Sequence, residues 1–286
     1  MTKASSSSAQ AARQRLADQL REIRLDAKLS GRALAARAAW HGGSKISKIE
    51  HGVRSPSAED IQDWCRVCGI GEGRAAELIA ELRAVESTWL DWKRAERTGL
   101  LHLHVQMRSI FERTRLLRAY SSKIVPGLLQ TADYTTAVLS AIRDSRAVPV
   151  DDVAATVAER MNRQHILREG DHRFVFLAEE AVLRYRVGDV IMMIDQLHHL
   201  KEVATLSSLS FGIIPGDADR SVQCPAESFT MFDRRRVSVE LISGYLTVTQ
   251  PGEIERHEKV FADLLALTVV GKNARTLIDK AIRELE

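Results

Sequence analysis

Between residues 30 and 60 the chain is punctuated so closely that only short helices fit. Ser30 stands where a helix cap is needed, Gly42-Gly43 interrupts, Ser44 can cap the next helix, Gly52 stops it, and Pro56 comes shortly after. The stretch left between the glycines is Ser44-Lys45-Ile46-Ser47-Lys48-Ile49-Glu50-His51. Ile46 and Ile49 lie one helical turn apart and share an inward face. Ser44, Lys45, Ser47 and Lys48 fall on the remaining surface.

The flanks fit the same scheme. Leu16, Leu20 and Ile23 recur at helical spacing and predict a first helix. Ser30 caps a second that carries Leu34. Ser57 and Asp60 make a capping-box start for a fourth with Ile61, Trp64 and Cys68, ended by Gly69, Gly71 and Gly73. Two short capped helices joined by a turn, the second with a basic outer face, form a helix-turn-helix pattern. Lysines and serines there can reach base edges and phosphates, and His51 closes the same helix and joins that set. Residues 1–73 hold 12 Lys+Arg against 8 Asp+Glu, whereas the remainder holds 29 against 30. A basic N-terminal surplus suits a nucleic-acid partner, although charge alone fits a solvated surface equally well.

The segment resembles the recognition-helix motif of the XRE (lambda repressor/Cro-like) family, roughly Ser-x-Ile-Ser-x-Ile-Glu-x-Gly followed by a Ser-Pro or Arg-x-Pro turn. Here the tail is Arg54-Ser55-Pro56-Ser57, and the resemblance covers about residues 15–70. It implies that Arg24 and Glu50 form a structural ion pair, and that Ser30, Arg32, Arg54 and Ser55 contact phosphates. Two departures stand out. Gly31 replaces a glutamine common just after the cap. The turn Trp40-His41-Gly42-Gly43 is one residue longer than usual and has two glycines. Direct readout is thereby expected to rest on Ser44, Lys45 and Lys48.

From Arg74 to Arg97 the pattern predicts one long helix. Leu78, Leu82, Val85, Trp89 and Trp92 alternate four- and three-residue steps, a heptad seam of about two repeats. Such a seam serves either packing within the chain or a dimer. Beyond Gly99 the expected elements are a strand at 115–121, a turn at Pro126-Gly127, and helices from Thr131 to about Ile142 and from Asp151 or Asp152 to about Arg168. A strand follows at Phe174–Leu177, then helices at 179–186 and 189–204. Strands are expected at Leu209–Ile214, Ser228–Asp233 and Val237–Ile242, the last with a continuation at Tyr245–Thr249. Helices at 252–270 and 274–285 close the chain. The expected fold class is an N-terminal all-α helix-turn-helix domain plus a C-terminal α+β domain. The expected divisions are a disordered tail at 1–9, a DNA-binding domain at 10–73, a linking helix at 74–99, and a regulatory or partner-binding domain at 100–286.

The string Lys123-Ile124-Val125-Pro126-Gly127-Leu128-Leu129-Gln130-Thr131-Ala132-Asp133-Tyr134 resembles the Val-Pro-Gly-Leu-Leu-Gln-Thr-x-x-Tyr signature of actinobacterial WhiJ-like developmental regulators. Arg160-x-x-Arg163-Gln164, Glu179-Glu180-Ala181-x-Leu183-Arg184, Gln196-Leu197-x-x-Leu200 and Phe211-x-Ile213-Ile214-Pro215 agree with it. The resemblance implies transcriptional control of development or secondary metabolism, beside a gene for a small acidic partner protein. Physically, Pro126-Gly127 suits a type II-like turn with glycine at positive φ. Leu128 and Leu129 can anchor that turn, and Thr131 can cap the next helix. Alternatively Gln130 and Tyr134 belong to a partner or ligand groove.

Other chemistry finds little support. His198-His199 and Glu179-Glu180 are adjacent pairs whose side chains diverge on a helix, and no zincin, Walker or nucleophile-elbow motif is present. Cys65-x-x-Cys68 lacks a second pair, so two small apolar residues on a buried helix face are expected rather than a metal site. Arg234-Arg235-Arg236 suits a solvated hairpin turn. Three cysteines, no secretory signal and no membrane-length apolar run predict a cytoplasmic, nucleoid-associated protein without cofactor or metal. The expectation is a sequence-specific regulator that binds a double-stranded DNA operator as a homodimer, mainly through its C-terminal domain, and is not an enzyme. The alternative is an antitoxin-like protein that sequesters a small acidic partner.

Overall fold

A computed structural model describes residues 8–40 and 43–286. The chain divides into two compact units, Met1–Trp89 and Leu90–Glu286.

The first unit is helical: α1 (Ser8–Asp26), α2 (Gly31–Arg37), α3 (Ser44–Glu50), α4 (Ala58–Val67) and α5 (Glu72–Thr88). Ser8 and Ala9 already belong to α1, so the expected tail at 1–9 is helical at its end, and its first seven residues lie outside the described ones. Ser30 caps α2 by accepting from the Ala33 amide at 3.1 Å. Ser57 and Asp60 satisfy each other's backbone amides at 3.0 and 3.1 Å, a complete capping box on α4. At α3 the expected cap differs. Gly43 occupies the cap position without a side-chain bond, and Ser44 is the first helical residue. Leu16, Leu20, Leu34, Ile46, Ile49, Ile61 and Trp64 are all at most 2 % exposed and form one core. Gly31, in place of the expected glutamine, packs close to this core, where a Cβ would sit 3.4 Å from Ile46 Cγ2.

The seam does not run as one helix. The fifth helix starts at Glu72, taking Gly73 into its first turn, and ends at Thr88. Leu78 and Leu82 are buried in the unit's own core; the side chains of Val85 and Trp89 lie outside the described residues. Trp92 opens a separate short helix, where its indole donates to Leu241 O at 3.0 Å. The tryptophan is therefore half-buried against a connection between strands instead of in a helical seam.

After the first unit's helices the chain runs β1 (Trp89–Asp91), which starts at the unit boundary, then α6 (Trp92–Ala95), α7 (Leu101–Arg113), β2 (Leu116–Ser121), α8 (Ala132–Arg146), α9 (Val153–Arg163), β3 (Arg173–Glu179), α10 (Val190–Val203), β4 (Leu209–Ile214), β5 (Phe229–Phe232), β6 (Arg236–Glu240), β7 (Gly244–Val248), α11 (Pro251–Ala266), β8 (Val269–Val270) and α12 (Gly271–Leu285). The sheet order is β1-β7-β6-β5-β2-β3-β4-β8. β2, β3 and β4 are parallel, with Leu117 opposite Phe174 and Phe176 opposite Phe211. β2 pairs with β5 antiparallel, and β5, β6 and β7 form an antiparallel meander. The fold is therefore α+β with a mixed sheet. Its parallel half, joined by helical crossovers, departs from the simple succession of helices and then strands that the sequence pattern suggests.

Each strand's alternation sets its two faces. Leu117, Ala119, Phe174, Phe176, Phe211, Ile213 and Phe232 point into a core with residues of α8, α10 and α12. Tyr120, Leu177, Phe229, Met231, Val237 and Val248 point the other way, under Ile254, Phe261 and Leu264 of α11. Several expected boundaries move. The ninth helix stops at Arg163 and a 3₁₀ turn follows. β3 continues through Glu179, so the expected 179–186 helix shrinks to a 3₁₀ turn, Glu180–Leu183. Tyr245 lies in a strand of its own rather than a continuation of β6. The last two helices are separated by β8, which pairs with β4. The seventh helix has no local cap; the Asp152 carboxylate accepts from the Leu100 and Leu101 amides, each at 2.9 Å. Among the described residues no helix is long and apolar enough to cross a membrane.

Candidate functional site

The first candidate site is the outer surface of α2 and α3. Its scaffold is the ion pair implied by the resemblance. Arg24 Nε meets Glu50 Oε1 at 2.6 Å and Arg24 Nη2 meets Oε2 at 2.9 Å, a bidentate contact, while Nη1 donates to Leu29 O at 2.8 Å. Both side chains are buried. The hydrogen bond from Arg24 to Glu50 raises the guanidinium's pKa further above its ordinary value. This contact fixes α3 against α1 and turns Ile46 and Ile49 inward. The opposite face is exposed: Ser44, Ser47, Lys48 and His51, with Arg54 just beyond the helix. His51 Nδ1 donates to Ser47 O at 2.7 Å. Arg32 is exposed on α2, and its Cγ would lie 3.6 Å from a Cβ at Gly43. Its stem thus runs beside the start of α3. Among the described residues Arg32, Lys48 and Arg54 have no carboxylate partner.

Three expected contacts need correction or narrowing. Lys45 does not stand free on the outer face. Its ammonium contacts Asp60 Oδ1 at 2.5 Å and sits 3.9 Å from the centre of the Trp40 ring. Asp60 is already the capping-box carboxylate of α4, so Lys45 ties α3 to α4. Ser30 is exposed, but its hydroxyl accepts from Ala33 in the cap. Ser55 is only half exposed. His41 and Gly42 of the long turn lie outside the described residues.

The second candidate, Gln130 with Tyr134, is not a groove. Both are fully buried. Gln130 Nε2 donates to Val125 O at 2.7 Å, and its Oε1 accepts from Thr135 Oγ1 at 3.1 Å. The Val125 amide points to the Tyr134 hydroxyl at 3.4 Å. Two further amides secure the same loop. Gln164 Nε2 donates to Gln130 O at 2.7 Å, and Gln196 bridges the Thr131 amide and Leu129 O, both at 2.8 Å. Thr131 caps α8 as expected. Gly127, however, opens a 3₁₀ turn and does not take positive φ. A Cβ there would meet Arg160 Nη2, so the guanidinium would have to shift.

The profile described as a helix-turn-helix domain matches residues 15–78, from within α1 to the first turns of α5. The profile described as a domain of unknown function, DUF5753, matches residues 110–280, well over half of the chain. The chain belongs to the DUF5753 family. A solved structure of TrmBL2, an archaeal chromatin protein reported with a novel mode of DNA binding, is 10% identical and covers 89% of this chain and 100% of that one. Its TM-score of 0.29 is too low to bear on fold or function. No curated protein matches the chain. The DUF5753 region contains the amide-stitched loop and the arginines beneath it.

Several other reactive groups are engaged in structure. Glu179 accepts from Tyr120 Oη at 2.5 Å and pairs with Arg220. Glu180 pairs with Arg184 at 2.8 Å and accepts from the Gly216 amide at 2.7 Å. Cys65 is buried, and burial raises its thiol pKa, as it does for Cys68. Arg234 is exposed at the β5–β6 turn and pairs with Glu258 at 2.9 Å, while Arg236 turns back to Ser238 and Thr247.

Proposed function

We propose that this chain is a sequence-specific DNA-binding transcriptional regulator of the XRE, WhiJ-like type. We place it in the cytoplasm, associated with the nucleoid. Its partner is a double-stranded operator, and it controls development or secondary metabolism. The observation that carries this reading is the outward face of α3. Ser44, Ser47, Lys48 and His51 are exposed directly opposite the buried Ile46 and Ile49. Arg32 and Arg54 flank that face as phosphate-directed cations. Lys45 is removed from the reading set by its contacts with Asp60 and Trp40.

We read the chain as a binding protein rather than an enzyme, because the acidic pair Glu179 and Glu180 is taken up in ion pairs and hydrogen bonds. We also propose a homodimer. One module offers few base contacts, whereas two modules about 34 Å apart read a near-palindrome. Leu78 and Leu82 are committed to their own core, and we place the dimer contact mainly on the C-terminal unit. The test begins with genomic footprinting by the full-length protein. Fluorescence anisotropy on the recovered duplex, from about 50 to 200 mM salt, should then show a steep loss of affinity with salt. Weak, salt-insensitive binding alongside tight capture of a small acidic protein would favour the antitoxin-like alternative. Light scattering should give a dimer.

A further inference from the structure

A cavity of about 490 Å³ lies within the C-terminal unit, between the helix-covered face of the sheet and the loop that precedes α8. Its volume is that of a small-molecule pocket, commonly about 300–1,000 Å³. Met107 and Phe111 of α7 line it, together with Leu117, Phe176 and Phe232 of the sheet. The lining also includes Arg160 and Arg163 of α9, with His104 near both, and Tyr245.

The two arginines are under-compensated. Arg160 is half-buried and makes no side-chain hydrogen bond or ion pair among the described residues; desolvation and the neighbouring Arg163 push its pKa down to about 10, against an upward pull from Glu240. Arg163 is 7 % exposed, and its Nε is buried without a partner. One of its terminal nitrogens donates to His104 O at 2.7 Å. The carboxylate paired with it, Glu159, is 3.7 Å away and is also bound by Arg108. Cations with so few partners beside apolar surface are costly, and a mobile counter-charge would relieve them. Gly127 leaves room for the Arg160 guanidinium beneath the loop, where any larger residue would push it aside. Glu240 also lines the cavity, held by Arg146 at 2.7 Å, and disfavours a doubly charged guest.

We propose that this cavity binds a small molecule with a single carboxylate on an apolar body, the carboxylate seated at Arg160 and Arg163 and the body against Met107, Phe111, Leu117 and Phe232. The pairing follows from the chemistry of the lining. Guanidinium groups engage planar carboxylates through paired donors, and the rest of the cavity offers mostly carbon. The pocket lies wholly in the C-terminal unit, so it does not depend on the DNA-binding reading.

Calorimetric titration of the full-length protein tests it with three probes: decanoate, decanol and inorganic phosphate. Decanoate should bind at least tenfold more tightly than decanol, with no phosphate binding at the same concentrations. Arg160→Met keeps an unbranched stem without the charge. It should weaken decanoate at least tenfold while leaving decanol unchanged. Gly127→Ala should weaken decanoate in the same sense by displacing the guanidinium, with an unaltered circular dichroism spectrum. Equal affinity for decanoate and decanol would overturn the proposal. So would phosphate binding as tightly as decanoate, absence of decanoate binding to the wild type, or a well-folded Arg160→Met with undiminished affinity. Should Arg160→Met not fold, Gly127→Ala and the wild-type probe ratio decide the matter in the same way.

Discussion

The two units are held together by different kinds of contact. In the first, helices that follow one another close on a single small core, and polar contacts sit at their ends: the capping box of Ser57 and Asp60, the cap at Ser30, and Lys45 on Asp60. Arg24 with Glu50 reaches further, and it is buried. In the second, the central strand β2 pairs on one side with β3 and on the other with β5, which follows only after three more helices and two strands. Its polar contacts are correspondingly distant, such as Asp152 capping α7 and Gln196 holding the loop before α8. A unit built from neighbours can present a rigid short helix with few residues. A unit built from distant partners can enclose a cavity, because separate elements supply each wall.

Removal of Glu50 should have the largest effect and should separate the units. Glu50→Ala leaves Arg24 buried without its counter-charge, a loss of about 3 kcal/mol. For a unit of this size that lowers the melting temperature by roughly 10 °C or more. Calorimetry of the full chain should show the shift in one transition only, with the other unmoved. Movement of both transitions together would mean that the units unfold as one.

The corresponding break in the second unit is Gln196→Leu. Two buried backbone groups, the Thr131 amide and Leu129 O, then lose their partner, at a cost of about 2 kcal/mol. The other transition should now be the one that shifts. Hydrogen exchange should show faster exchange at the Thr131 amide.

A third comparison sets two lysines of one helix against each other. Lys48 is exposed and unpaired among the described residues, whereas Lys45 bridges Asp60 and Trp40. Lys48→Ala should weaken operator binding about tenfold, or about 1.4 kcal/mol, without changing the melting temperature. Lys45→Ala should lower the melting temperature of the first unit and reduce affinity only through that loss. Anisotropy and calorimetry on the same two variants distinguish these outcomes.

The readability of the sequence follows the same division. Caps, glycines and the spacing of Ile46 and Ile49 act within a few residues, so α2, α3 and α4 are legible, as is the outward face of α3. The engagement of Lys45 is not, because its partner Asp60 declares itself locally only as a capping residue. The string around Pro126-Gly127 stands out, yet Gln130 and Tyr134 suit a groove as well as a core in one dimension. Gln164 and Gln196, each more than thirty residues away, bury the loop and decide for the core. The parallel pairing of β2 with β3 and the start of α7, capped from Asp152, depend on contacts between distant residues that no local pattern encodes. Arg160 and Arg163 are visible as a motif, but their role under a loop glycine emerges only in three dimensions.

His104 gives the smallest expected effect and the one most specific to the second unit. Burial, then the charges of Arg160 and Arg163, hold its pKa down to about 3. In the unfolded chain the imidazole takes up a proton as pH falls through about 6.5. In the folded chain it stays neutral until near 3. Between those limits the unfolded state binds the extra proton, so acid erodes stability across that window, whereas above about 7 the residue contributes no pH dependence. The slope from this one group is at most about 1.4 kcal/mol per pH unit. His104→Gln keeps a neutral polar side chain and removes that slope. Wild type and variant should therefore differ in pH dependence between about 7 and about 5.5, with the variant losing less stability over that interval. The difference should be confined to the transition that Gln196→Leu shifts. Parallel curves for the two proteins would place His104 in water rather than beside the two arginines.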